Sequence, residues 1–179
     1  MNVLVIYESM YGNTHEIAEA IADGMRGAGE VQVAPVTASV PEAAAEADVL
    51  VVGGPTHVHG MSRKSSRTAA AETAESDDSI ELDPDAEGDG LREWFDQLPK
   101  ASGSMSAAAF DTRIDKPAIF TGSAAKGIAK QLRRHRYQEL AGPESFLVED
   151  TDGPLKAGEV DRARRWGEEL AKRCREQIG

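Results

Sequence analysis

Apolar residues along this chain follow two different periods. Residues 3–7, VLVIY, are an unbroken aliphatic and β-branched run, as expected of a parallel strand covered by helices on both faces. The next segment, THEIAEAIADGMRGAG, switches to a spacing near 3.6, with Ile17, Ala20, Ile21 and Met25 on one stripe and glycines at its end as a stop signal. VQVAPV (31–36) predicts a second strand, PEAAAEA a short helix opened by proline, and DVLVVGG (48–54) a third buried strand. LREWFDQL (91–98) resumes the helical stripe and places Leu91, Trp94, Phe95 and Leu98 in the core. MSAAAFD (105–111) is the fourth strand, PAIFTGSAAKGIAKQLRRHR leads into a helix, ESFLVE (144–149) is the fifth strand, and GEVDRARRWGEELAKRCREQI is a closing amphipathic helix. Strands alternating with helices predict an α/β fold built on a doubly wound parallel sheet.

The alternation is interrupted once, at about 61–90, where MSRKSSRTAAAETAESDDSIELDPDAEGDG is polar, acidic and lacks a clear period. It reads as a long, mobile excursion holding some alanine-rich helix, because structureless loops beyond about 12–15 residues are uncommon unless functional or disordered. With 179 residues and 40% hydrophobic content, the chain suffices for one well-buried core, so residues 1–179 are read as a single domain.

Charge sharpens the picture through its placement. The net charge is −11, yet residues 72–96 alone hold 11 acidic side chains against 1 basic, while residues 97–179 hold 15 basic and 12 acidic. The acidity belongs to one segment, and nucleic-acid binding is not expected despite the basic run KQLRRHR. The single cysteine, Cys174, has no pairing partner and reads as an inert helical thiol. No signal-like start and no apolar run near the roughly 20 residues of a membrane span are present, so a soluble, cytoplasmic protein without membrane contact is expected.

Candidate chemistry sits where the first strand meets the first helix, in YESMYGNTHEIAEAI (7–21). Ligands of doubly wound sheets lie at the carboxyl ends of the strands. A helix N-terminus there offers unpaired N–H groups and partial positive charge, enough to hold a phosphate without a lysine. Ser9 and Thr14 add hydroxyl donors and Gly12 lets the backbone approach the anion. The loop has neither the G-x-x-x-x-G-K-[ST] of triphosphate sites nor the G-x-G-x-x-G of dinucleotide sites. The third strand also ends in Gly53-Gly54 rather than in the acidic cluster of a phosphoacceptor domain.

The stretch 5–21, VIYESMYGNTHEIAEAI, closely resembles the flavodoxin signature: aliphatic residues, an aromatic, then Ser, Gly and Thr at fixed spacing. The resemblance extends over residues 1 to about 60 and from about 88 to the C-terminus. It implies a flavodoxin-like five-stranded sheet in order 2-1-3-4-5, with helices on both faces and FMN bound noncovalently. On that resemblance Ser9, Met10, Tyr11, Gly12, Asn13 and Thr14 would surround the FMN phosphate. Pro55 and Thr56 would meet the ribityl chain, His57, Val58, His59 and Gly60 would run along the ring, and Asp111, Thr112 and Arg113 would reach its pyrimidine edge. The fourth-strand loop, FDTRIDKPAIFTGSA, lacks the tyrosine that stacks on the ring in many flavodoxins, leaving a histidine and Phe120 as ring partners and a more weakly held flavin. Gly122 and Ser123 open the next helix as a second anion or carbonyl site. His57 and His59 form an H-x-H pair without a third ligand nearby, so no metal is expected.

The resemblance implies an electron-transfer flavoprotein, as monomer or dimer, exchanging electrons with redox partner proteins or an NAD(P)H-linked reductase. Two alternatives stay open. One is an FMN-dependent NAD(P)H:quinone reductase, an oxidoreductase using the excursion to shape its substrate pocket. The other is a cofactor-free flavodoxin-like interaction module.

Overall fold

The N-terminal apolar run forms β1 (Asn2–Tyr7), an interior strand of the sheet on which the site is built. In this computed structural model the described residues are 1–57, 59–77, 79–102 and 105–178. After β1 come α1 (Asn13–Met25), a 3₁₀ turn (Arg26–Ala28), β2 (Glu30–Pro35), α2 (Pro41–Ala44) and β3 (Val49–His57). The chain continues through β4 (Gly60–Met61), α3 (Lys64–Ser76), α4 (Leu91–Gln97), β5 (Ser106–Ile114), α5 (Ala118–Thr121) and α6 (Ala124–Arg134). It closes with β6 (Gln138–Glu139), β7 (Glu144–Val148) and α7 (Glu159–Ile178).

The parallel strands lie in the order β2-β1-β3-β5-β7. These are the five expected strands in the expected order, since β5 and β7 are the fourth and fifth of them. Two short pieces are additions: β4 pairs antiparallel with the end of β3, and β6 pairs with the start of β5.

Helices cover both faces, which explains why the central strands read as unbroken apolar runs. On one face α1 and α7 bury Ile17, Ile21, Met25, Leu170 and Cys174 against Val3, Val5, Val51 and Phe110. On the other, α4 and α6 bury Leu91, Trp94, Phe95, Ile128 and Leu132 against Ile6, Leu50 and Val52. Cys174 is buried, and burial raises its thiol pKa, in keeping with an inert group.

Two strands run further than their apolar runs suggested. β3 continues through Pro55, Thr56 and His57, and β5 through Thr112, Arg113 and Ile114. Neighbour pairing carries them on: Thr112 pairs with Phe146 and Ile114 with Val148 of β7. Asp111, Thr112 and Arg113 are therefore strand-end residues, held more rigidly than loop residues. The excursion contains α3, and its acidic portion docks on the loop after β1: the Asp83 N–H donates to the Met10 carbonyl at 2.7 Å.

Candidate functional site

β1, β3 and β5 end on the same side of the sheet, and the residues just beyond enclose one cavity of about 260 Å³. Ser9, Met10, Tyr11, Asn13 and Thr14 line it from the β1–α1 loop; Pro55, Thr56 and His57 from the end of β3; Thr112 and Arg113 from the end of β5. The sequence had not pointed to Ile114, Val148 and Thr151, which complete the wall. Their signal is topological: β7 lies beside β5, so its carboxyl end and the turn after it must border the same crevice.

The β1–α1 loop has the conformation an anion site needs. Gly12 is the N-cap of α1 in the left-handed region (φ 86°), where a side chain would be strained. Among the described residues no side chain caps the helix and the first-turn N–H groups of Asn13, Thr14 and His15 have no partner, while the Glu16 N–H closes the first helical bond to Gly12 at 3.0 Å. The Gly12 N–H donates to Ser9 Oγ at 3.1 Å, which leaves the serine proton free to be donated onward. Thr14 Oγ1 pairs with Thr112 Oγ1 at 2.7 Å, and Asn13 Nδ2 donates to the Asp152 carbonyl at 3.0 Å.

Other proposed residues take different places. Asp111 is fully buried: its Oδ2 accepts from Ser123 Oγ (2.7 Å), the Ala125 N–H (2.9 Å) and Thr56 Oγ1 (3.0 Å), so it fastens the start of α6 to β3 and does not line the cavity. Ser123 caps α6 and is thereby occupied. His59 and Gly60 also lie off the cavity wall; His59 has φ 72° and forms a parallel bridge with Gly122. Val58 lies outside the described residues. Phe120 is exposed on α5.

Electrostatically the cavity mixes neutral rings with one cation. Burial lowers the His57 pKa, the Glu8 carboxylate opposes that shift and the Arg67 guanidinium adds to it, so the imidazole is held neutral. Burial, then Asp152, raises the Tyr11 pKa and keeps its phenol protonated. Arg113 donates from Nη1 to the Lys116 carbonyl at 2.5 Å and to the Ile114 carbonyl at 3.4 Å, whereas its buried Nε has no partner among the described residues.

Comparison with known proteins agrees with this geometry. The sequence profile of the flavodoxin domain matches residues 4–76. The fold matches a flavodoxin from the domain Archaea at a TM-score of 0.61 and 20% identity, covering 98% of this chain and 99% of that one. It matches flavodoxin 1 from Bacillus cereus at 0.67 and 18% identity, covering 96% and 98%. A WrbA-like flavodoxin from Agrobacterium tumefaciens matches at 0.58 and 19% identity, covering 98% of each chain. No curated protein matches the sequence.

The chain has a flavodoxin-like fold. The flavodoxin domain matched at residues 4–76 and the flavodoxin-like fold imply FMN as the cofactor. The cavity of this flavodoxin-like chain fits one end of such a ligand: an uncapped helix terminus and a free serine proton for a phosphate, and the orphaned Arg113 Nε for a carbonyl or a second anion. At about 260 Å³ it falls below the roughly 300–1,000 Å³ of pockets that engulf a whole drug-sized ligand, so a flavin ring would extend over its rim.

Proposed function

We propose that this chain binds FMN noncovalently, with the phosphate on the β1–α1 loop, and carries electrons between redox partners in the cytoplasm as one domain. The observation that carries the reading is the uncapped start of α1 behind a left-handed Gly12, in one cavity with residues from the ends of β3 and β5. Ser9 donates its hydroxyl proton and the first-turn N–H groups donate theirs to the phosphate oxygens. Pro55 and Thr56 border the ribityl chain, and the neutral His57 borders the ring. Thr112 and Arg113 face the pyrimidine edge. FMN supplies the redox chemistry when bound; the residues of the chain bind it, orient it and limit its contact with water. No side chain is required as a general acid or base.

The absorption spectrum of the purified protein tests the reading. Flavin bands, with FMN released on denaturation, support it; a colourless protein that fails to take up added FMN refutes it.

A specific feature favours a second reading, an FMN-dependent NAD(P)H:quinone reductase. A second cavity, of about 350 Å³, lies between α3 and residues 82–89 and shares Met10 with the first. Ala71, Leu82 and Ala86 give it apolar walls, and Lys64, Arg67, Glu87 and Asp89 give it a mixed charged lining, which suits a largely apolar acceptor. NADPH oxidation coupled to a quinone, with no added reductase, supports this reading. Oxidation only when a reductase is supplied supports the carrier.

A further inference from the structure

The acidic segment does more than lie against the β1–α1 loop: it brings two carboxylates to a histidine whose side chain the FMN site does not use. His15 Nδ1 faces Asp83 Oδ2 at 3.1 Å, and Asp85 Oδ2 accepts the Tyr7 hydroxyl at 3.2 Å. One nitrogen of His15 and one oxygen each from Asp83 and Asp85 all lie within 4.8 Å of one another. The geometry points to a divalent-cation site formed by His15, Asp83 and Asp85, outside the FMN cavity, that clamps residues 82–86 onto the start of α1.

The charge around the cluster calls for such an ion. The Asp83 side chain is 1% exposed, and a carboxylate so far from water needs a compensating charge. Glu19 adds a third carboxylate, 3.9 Å from His15 Nε2. Among the described residues no lysine or arginine pairs with any of the three, so one imidazole is their only basic neighbour.

Independent features match what metal sites use. The Tyr7 ring stacks on the His15 imidazole at 4.3 Å with a 15° tilt, fixing the ring plane. With Nδ1 on the ion, Nε2 lies 3.9 Å from Glu19 Oε1, close enough for a small side-chain movement to complete the carboxylate–histidine–metal relay that orients ligating histidines. Donors about 2.0–2.2 Å from a tetrahedral ion lie about 3.3–3.6 Å apart, so the widest spacing in the cluster closes by up to about 1.5 Å when the ion binds. One imidazole with two carboxylates suits Mn²⁺ or Zn²⁺ better than Ca²⁺ or Mg²⁺, which favour all-oxygen shells; water completes the coordination.

Mn²⁺ titrated into the purified full chain with its FMN, followed by the loss of the free-ion EPR signal, tests the site. The expected result is one saturable Mn²⁺ per chain, displaced by Zn²⁺. Asp83→Asn and Asp85→Asn abolish that binding with FMN retained, Glu19→Gln weakens it about tenfold as outer-shell substitutions do, and Glu42→Gln, on an exposed carboxylate of α2, leaves it unchanged. Weak, unsaturable uptake, or uptake equal in wild type and Asp85→Asn, overturns the proposal. Asp85 is less buried than Asp83, so its variant decides the matter even if Asp83→Asn does not fold.

Discussion

Thr14 Oγ1 and Thr112 Oγ1 share a buried hydrogen bond of 2.7 Å that ties the first turn of α1 to the end of β5. Each hydroxyl has a single proton, so one of the pair donates to the other and only the second has a proton left for a ligand. Ser9 differs, because its oxygen accepts from the Gly12 N–H and its proton stays available. The two hydroxyls that look equivalent in the sequence thus have separate tasks. Ser9→Ala is expected to weaken FMN binding by about 1–3 kcal/mol, the range for a hydrogen bond to a charged group, with the affinity for riboflavin, which has no phosphate, unchanged. Thr112→Val is expected to lower folding stability by about 1 kcal/mol, with a smaller effect on FMN. Fluorescence titration with both flavins, beside urea unfolding, separates the two effects; an equal loss for FMN and riboflavin in Ser9→Ala would contradict the phosphate assignment.

Gly122 is the second backbone position on which the site depends. It has φ 75°, and a Cβ there would lie 2.3 Å from the His59 carbonyl oxygen, which belongs to backbone and cannot swing aside. Gly122→Ala therefore pushes the turn after β3 away from α6. The expected outcome is a loss of about 1–3 kcal/mol in stability, with FMN affinity reduced and unfolding still cooperative. Urea melts of the apoprotein and flavin titrations check it, and a variant as stable as wild type would show that the bridge between His59 and Gly122 does not constrain the turn.

How far the sequence foretold these relationships depended on where the determining contacts lie. The first strand and helix could be read directly because VLVIY and the Ile17–Ile21–Met25 stripe match the sheet and helix faces they bury. The ends of β3 and β5 could not. Pro55–His57 and Thr112–Ile114 look like loop in isolation and become strand only through pairing with β4 and β7. The stripe of α3 was weak because that helix buries little beyond Arg67 and Ala70. The docking of the acidic segment was hidden for another reason. Its contacts join residues 68 and 78 positions apart, through hydrogen bonds that leave no periodic trace. The resemblance directs Asp111 to the pyrimidine edge of a flavin, whereas its partners lie at the start of α6 and on β3, contacts distant in sequence that a strand end does not disclose.

His57 gives the site a dependence on pH. Burial is the largest influence and lowers its pKa, Glu8 raises it and Arg67 lowers it, with a net shift below the ordinary value of 6.5. The folded chain therefore holds this imidazole neutral more strongly than the unfolded chain does. As pH falls through about 6.5 the unfolded chain gains a proton that the folded chain resists, and stability declines until the folded pKa is passed. Above about 6.5 the contribution is constant. Comparing urea midpoints of wild type and His57→Asn across this window checks the sign: the variant is expected to show the shallower decline on acidification, and identical slopes would mean that His57 titrates alike in both states.

The junction of β7 and α7 responds at lower pH. Arg162 donates from Nε to Glu159 Oε1 at 3.0 Å and from Nη2 to Oε2 at 2.7 Å, also donates to Glu144, and lies 4.4 Å above the Phe146 ring. Burial tends to raise the Glu159 pKa, but the Arg162 bonds and the Leu147 N–H, 2.7 Å from Oε2, bring it below the ordinary 4.5. Protonating Glu159 removes an acceptor used by both Arg162 and the β7 backbone. The contribution is complete above about pH 4.5 and is lost as pH falls through the lower folded pKa, since the unfolded chain protonates first. Arg162 remains partly exposed, so solvent screening keeps the effect modest. Arg162→Met, which retains much of the packing over Phe146, is expected to cost about 1–2 kcal/mol near neutral pH and to flatten the acid limb of the stability curve. Urea unfolding of both proteins from neutral pH down to about 3 measures the cost and the slope; parallel curves would show that the network contributes no proton linkage.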